Sequence, residues 1–171
     1  MTTKPNSGSP SPRGSLAQSS AAAGSSPSLS TGSFFDCACF NARQAARAIT
    51  ALYDEVMEPT GLKTTQFAIL AAIRADDDMT MQKLAAGLGL DPSTMTRTLR
   101  PLLDDGLVEV LSGAQDRRVK RLALTRTGRR KLRDGVGRWR QAQAQLSERL
   151  GSEVFDRLVG DLSAVNRALR E

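Results

Sequence analysis

The side chains best suited to chemistry are cations and hydroxyls, and they gather in two places. Between positions 114 and 140 stand eleven Lys or Arg against two acids, Asp116 and Asp134. That stretch carries +9 of a net +6, so the remaining residues sum to −3. A little upstream, Ser93, Thr96, Arg97 and Arg100 fall off the apolar stripe formed by Met95, Leu99, Leu102 and Leu103. Guanidinium and ammonium groups concentrated in this way suit phosphates, and hydroxyls beside arginines suit phosphate oxygens and base edges. The chain has no histidine, the commonest general base and metal ligand. It has no Gly-rich phosphate loop and no nucleophile in a recognisable setting. No enzymatic role, cofactor or metal is expected.

Cys37 and Cys39 are the other reactive groups. Three readings stay open: packed or inert thiols, oxidant sensing, and a metal shared between two subunits. A thiol near a helix N-terminus has its thiolate favoured by the helix dipole. Residues two apart on a helix point about 200° away from each other, so a Cys37–Cys39 bridge would need local unwinding. With no third cysteine, any other bridge must join two chains. The metal reading lacks a signature spacing.

These groups need elements to hold them. At 171 residues the chain suits one compact domain with a sizeable core. Residues 1–33 contain eleven Ser, four Pro and four Gly, too little apolar surface to offset ordering entropy, and read as a disordered tail. They lack the apolar core of a signal peptide, and no apolar run reaches the roughly 20 residues that span a bilayer. A cytoplasmic protein without membrane contact is expected.

From position 34 the chain reads as mostly helical. Ala42, Ala45, Ile49, Leu52 and Val56 recur at helical steps until Pro59 and Gly61. A short apolar helix follows at 65–74, then a polar turn at Asp76, Asp77 and Asp78. Thr80 reads as the N-cap of a helix over 81–88 with Gly89 after its end, and Asp91-Pro92 as the start of a second helix that stops at Gly106. Two short helices around a glycine break form a helix-turn-helix. Pro101 predicts a tolerated distortion in the last turns. Residues 107–111 and 119–125 read as strands joined by a basic turn, a wing. Two amphipathic helices complete the chain. One spans 127–150, with Leu132, Val136, Trp139, Leu146 and Leu150 on its stripe and Gln143 breaking the seam. The other carries Val154, Phe155, Leu158, Leu162, Val165 and Leu169. Three flanking helices with apolar faces exceed what a winged helix needs.

Residues 34–170 resemble the MarR family of bacterial regulators. The most specific piece is DRRVKRLALTRTG, where Asp116, Arg118, Leu124, Thr125 and Gly128 match the family's wing signature. LGLDPSTMTRTLRPLLDDGLVEV resembles its recognition helix and following strand, and GLKTTQFAILAAI its second helix. The resemblance implies a mainly α fold with a small β-wing, a winged helix-turn-helix over 62–125. Dimerisation helices would occupy 34–58 and 126–171. It implies a homodimer on double-stranded DNA with a pseudo-palindromic operator, a repressor released by a small-molecule effector or an oxidant. Arg118 would enter the minor groove, oriented by Asp116. Ser93, Thr94, Thr96, Arg97 and Arg100 carry over as major-groove or flanking-phosphate contacts, and Arg117, Lys120 and Arg121 as backbone contacts or solvated charges. Pro101 departs from the polar residue common at its place. Tyr53 and Trp139 read as core or interface. The competing reading is a winged-helix protein-interaction module without specific DNA binding. The localised charge and the Asp116/Arg118 pair argue against it.

Overall fold

In a computed structural model, which describes residues 35–112 and 119–169, helix α1 (Ala38–Met57) is the first complete element among the described residues. A 3-10 turn (Glu58–Thr60) closes it, and Gly61, at φ 66°, reverses the chain. Helix α2 (Thr64–Ala75) starts where the Asp54 carboxylate accepts from Thr64 N at 2.7 Å, and it buries Phe67, Ile69, Leu70 and Ile73. The expected tail at 1–33 lies outside the described residues.

Helix α3 (Met81–Leu88) is capped by the Thr80 hydroxyl, which accepts from Lys83 N at 3.2 Å. Gly89 ends it at φ 64°, a left-handed conformation that favours glycine. Leu90 N then donates back to the Ala85 carbonyl at 2.9 Å, so the turn into the next helix is fully hydrogen-bonded. Helix α4 (Pro92–Asp104) begins at the Asp91 cap and continues unbroken through Pro101. Pro101 is exposed and falls in the final turn, so its missing donor faces solvent.

Strands β1 (Val108–Ser112) and β2 (Lys120–Leu124) pair antiparallel, from Val108 opposite Leu124 to Ser112 opposite Lys120. The hairpin is fastened at its base and along its side. Thr125 N donates to the Leu107 carbonyl at 3.1 Å, and Leu122 N to the Met79 carbonyl at 2.8 Å. Helix α5 (Arg126–Leu150) follows, one residue earlier than the sequence pattern suggests, because the Thr125 hydroxyl caps it by accepting from Gly128 N. Gly151 separates it from α6 (Ser152–Ala168).

Two hydrophobic clusters result. The larger joins α2, α3, α4, the hairpin and the end of α1; Met57, Ile69, Leu70, Leu84, Met95, Leu99 and Leu102 are fully buried there. Each such side chain contributes roughly 1.5–3 kcal/mol of burial. The smaller holds Leu52, Tyr53, Ala142 and Leu146, with Trp139 touching both. In α5 the buried positions are Gly128, Gly135, Ala142 and Leu146. Small residues one heptad apart let neighbours approach: a Cβ at Gly135 would lie 2.8 Å from the Phe67 ring. By contrast α6 buries nothing; Val154, Val159, Leu162 and Val165 are exposed along it.

Candidate nucleic-acid interface

The outer face of α4 is built by its cap. One Asp91 carboxylate oxygen accepts from Ser93 N at 3.0 Å and Thr94 N at 2.9 Å, and also from the Ser93 hydroxyl. The hydrogen bond from the Ser93 side chain, then that from Thr94, holds the Asp91 carboxyl well below the usual carboxylate range. With Met95, Leu99 and Leu102 turned into the core, Ser93, Thr96, Arg97 and Arg100 are exposed together, while Thr94 is half-buried. The Thr96 hydroxyl donates to the Pro92 carbonyl at 2.8 Å, leaving its lone pairs outward. Arg100 Nε reaches both Asp104 oxygens at 3.1 Å. That pair is largely solvated, so exchanging Asp104 for a phosphate costs little. Arg97 makes no ion pair with a described residue and is the freest cation on this face.

The wing flanks that face. Lys120, exposed at the outermost described rung, donates to the Ser112 hydroxyl at 3.3 Å. Asp116, Arg117 and Arg118 lie outside the described residues. Arg121 has a structural partner that the sequence does not reveal. Its guanidinium pairs with Asp78 at 2.7 Å, a part-exposed ion pair, and its backbone bridges Thr80, so it is held against the fold rather than standing alone in solvent. Lys83 pairs with Asp76 at 3.0 Å in the same turn and holds the Asp76 carboxyl below its ordinary value, chiefly through their hydrogen bond. The acidic turn therefore clamps α3 and the hairpin into one unit.

A second feature lies on the other side of α2. Tyr53, Thr64, Phe67, Arg74, Val136 and Trp139 line a largely apolar cavity of about 530 Å³ between α1, α2 and α5. Phe67 and Trp139 stack with centroids 6.4 Å apart. The Thr64 hydroxyl is buried there with no hydrogen-bond partner among the described residues, which is costly unless a ligand or water satisfies it. Tyr53 and Trp139, read from sequence as core or interface, are thus also cavity walls. Burial raises the Tyr53 phenol above its usual value, and its hydroxyl donates to Gln143 Oε1 at 2.6 Å. Gln143, an apparent break in the α5 stripe, is the partner that lets Tyr53 be buried.

Cys37 and Cys39 stand at the N-cap and first turn of α1, both exposed and unpaired. Cys37 is extended (φ −70°, ψ 118°), so the chain is already non-helical at one of the two thiols. Among the described residues no helix is long and apolar enough to cross a membrane.

Comparison with known proteins gives the arrangement a context. The profile of the MarR family matches residues 62–120, from before α2 through the helix-turn-helix and β1 to the first residue of β2. Over 91 residues the chain is 32% identical to the uncharacterised HTH-type transcriptional regulator YwoH of Bacillus subtilis. The match covers 53% of this chain and 66% of that relative, just under two thirds of its length. The structure of the M. tuberculosis transcriptional regulator MosR in complex with DNA is 40% identical. It superposes with a TM-score of 0.69 over 78% of this chain and 96% of that one. CouR of Rhodococcus jostii RHA1, solved with p-coumaroyl-CoA, is 25% identical with a TM-score of 0.66, covering 77% and 93% of the two chains.

Proposed function

We propose that the chain is a DNA-binding transcriptional regulator of the MarR family that represses as a homodimer on a pseudo-palindromic operator. The observation that carries this reading is the face of α4, where Ser93, Thr96, Arg97 and Arg100 are exposed together with the hairpin directly beside them. In the proposed complex α4 lies in the major groove and Arg97 and Arg100 take base edges or phosphates. Thr94 and Lys120 act at its edges, and Asp116, Arg117 and Arg118, which fall between the two strands in sequence, serve the minor groove and its phosphates. The uncovered apolar stripe of α6 and the exposed alanines of α1 form the dimer interface, which sets the spacing of the half-sites.

Release follows from a small molecule or an oxidant. The Tyr53/Thr64/Trp139 cavity lies between the helices of the proposed dimer interface and the helix-turn-helix. A ligand there would bias the angle between them. The CouR structure with a bound acyl-CoA supports a ligand as the signal. Peroxide oxidation would instead convert one of Cys37 or Cys39 to a sulfenic acid. Condensation with the other thiol would then release water and form a disulfide at the start of α1. The test is operator binding by the reduced and peroxide-treated protein, with Cys37→Ser/Cys39→Ser alongside. Release abolished by the double substitution supports the thiols; release that persists removes them, and no sequence-selective binding at all sinks the whole reading.

A further inference from the structure

The solvent face of α5 carries a row of guanidinium groups that belong to the basic 114–140 stretch but to which the operator reading gives no individual contact. Arg126, Arg129, Arg130 and Arg133 recur at steps of three and four, so they share one face, and all four are exposed. With Thr127 they line a surface depression of about 590 Å³ whose lining contains no acid. None of the four makes an ion pair with a described residue. Arg129 alone donates into the fold, to the Leu124 carbonyl at 2.6 Å. Arg130 also borders a neighbouring depression that holds Asp105 and Asp134, and Arg129 one that holds Asp77, so acid lies beside the row on two flanks but not within its lining.

Helix physics opposes this arrangement. Arg126 stands one turn from Arg129 and Arg130, and Arg133 one turn from the same pair, and like charges at that spacing disfavour a helix. A face kept only for solubility mixes its signs. The row is also set apart from the DNA-reading surface. Helix α5 leaves the hairpin at the Val108–Leu124 rung, four residue steps or about 13 Å from the Ser112–Lys120 rung. It then leads toward the Leu52, Tyr53 and Leu146 cluster.

Four guanidinium groups over seven helical steps cover about 10 Å of axis, and each can grip a phosphoryl group through two parallel N–H donors. We propose that the Arg126/Arg129/Arg130/Arg133 depression binds a linear oligophosphate. That chemistry is common to inorganic tripolyphosphate and the tail of a nucleoside triphosphate. The site is separate from the operator surface, so it stands or falls independently of how DNA is read.

The test is isothermal titration of the full chain at low salt with tripolyphosphate, ATP and adenosine. Tripolyphosphate should bind saturably, and Arg126→Gln/Arg133→Gln should weaken it by at least about tenfold, a loss of about 1.4 kcal/mol. Arg138→Gln, which removes one charge from α5 outside the depression, should leave it within about twofold. ATP matching tripolyphosphate while adenosine is silent assigns a site for the phosphate chain alone; ATP binding tighter assigns a nucleotide. Three results overturn the proposal: no saturable binding, binding that the double variant retains, or an equal loss in Arg138→Gln. A double variant that loses operator affinity while keeping tripolyphosphate also overturns it and places this face on DNA.

Discussion

Replacing Gly128 by alanine probes the join on which the wing's position depends. Gly128 lies in the first turn of α5 and donates its N–H to the Thr125 hydroxyl at 3.0 Å. That hydroxyl in turn donates to the Gly106 carbonyl at 2.7 Å, just past the end of α4. A Cβ at position 128 would overlap the Leu107 carbonyl oxygen and lie 2.9 Å from its carbonyl carbon. The obstacle is backbone, so no rotamer change relieves it. Alanine in a helix gains about 0.5–1 kcal/mol by propensity. Against this, overpacking costs about 1–3 kcal/mol and loss of the Thr125 cap about 1 kcal/mol. The net is a loss of about 1–3 kcal/mol, which lowers Tm by roughly 2–12 °C for a domain of this size. Gly137→Ala is the matched control, in the same helix with nothing within 4 Å of its Cβ. It should raise Tm by a few degrees through propensity alone. Both are read by circular-dichroism melting at one protein concentration, because a dimer's Tm moves with concentration. A Gly128→Ala protein that melts at or above wild type refutes the reasoning.

Four further outcomes are expected. Arg97→Ala should weaken operator binding by about 1–3 kcal/mol in anisotropy titrations without changing the sedimentation of the free protein. Arg100→Ala should cost less, because Arg100 must first leave Asp104. Tyr53→Phe should lower stability to urea by about 1 kcal/mol, since Gln143 loses its 2.6 Å partner in a half-buried setting; an unchanged midpoint means water substitutes fully. For Asp91 the folded pKa is depressed, so its stabilisation is present above the unfolded value of about 3.9 and disappears as pH falls through the folded one. The stability gap between wild type and Asp91→Ala should therefore be flat near neutrality and shrink on acidification below about pH 4. A gap that widens in acid contradicts the assigned cap.

Much of this architecture is legible in local sequence, and the exceptions share a cause. Thr80, Gly89 and Asp91-Pro92 mark helix ends through interactions within a few residues, and the structure places each where those signals put it. The stripe of α4 separates core from exposed groups by period alone. What escaped local reading depends on partners far along the chain. Thr125 caps α5 but also bonds across to residues 106 and 107. Arg121 looks like any wing cation until Asp78 is beside it. Gln143 looks like a flaw until Tyr53 donates to it. Gly135 and Ala142 carry no hydrophobic signal, yet they are buried because α2 and α1 pack where a larger residue would stand. The cavity, too, arises only when α1, α2 and α5 meet.

The central claim is that the exposed face of α4 reads DNA sequence. It is tested most directly by fluorescence anisotropy on DNA from upstream of the chain's own gene, and on genomic fragments the protein itself selects, with unrelated competitor present. The account predicts competitor-resistant binding at two subunits per site, an affinity that falls linearly with salt on logarithmic axes, and a marked loss in Arg97→Ala. Binding no tighter than to the competitor on every selected fragment, or the same affinity in Arg97→Ala, would contradict it.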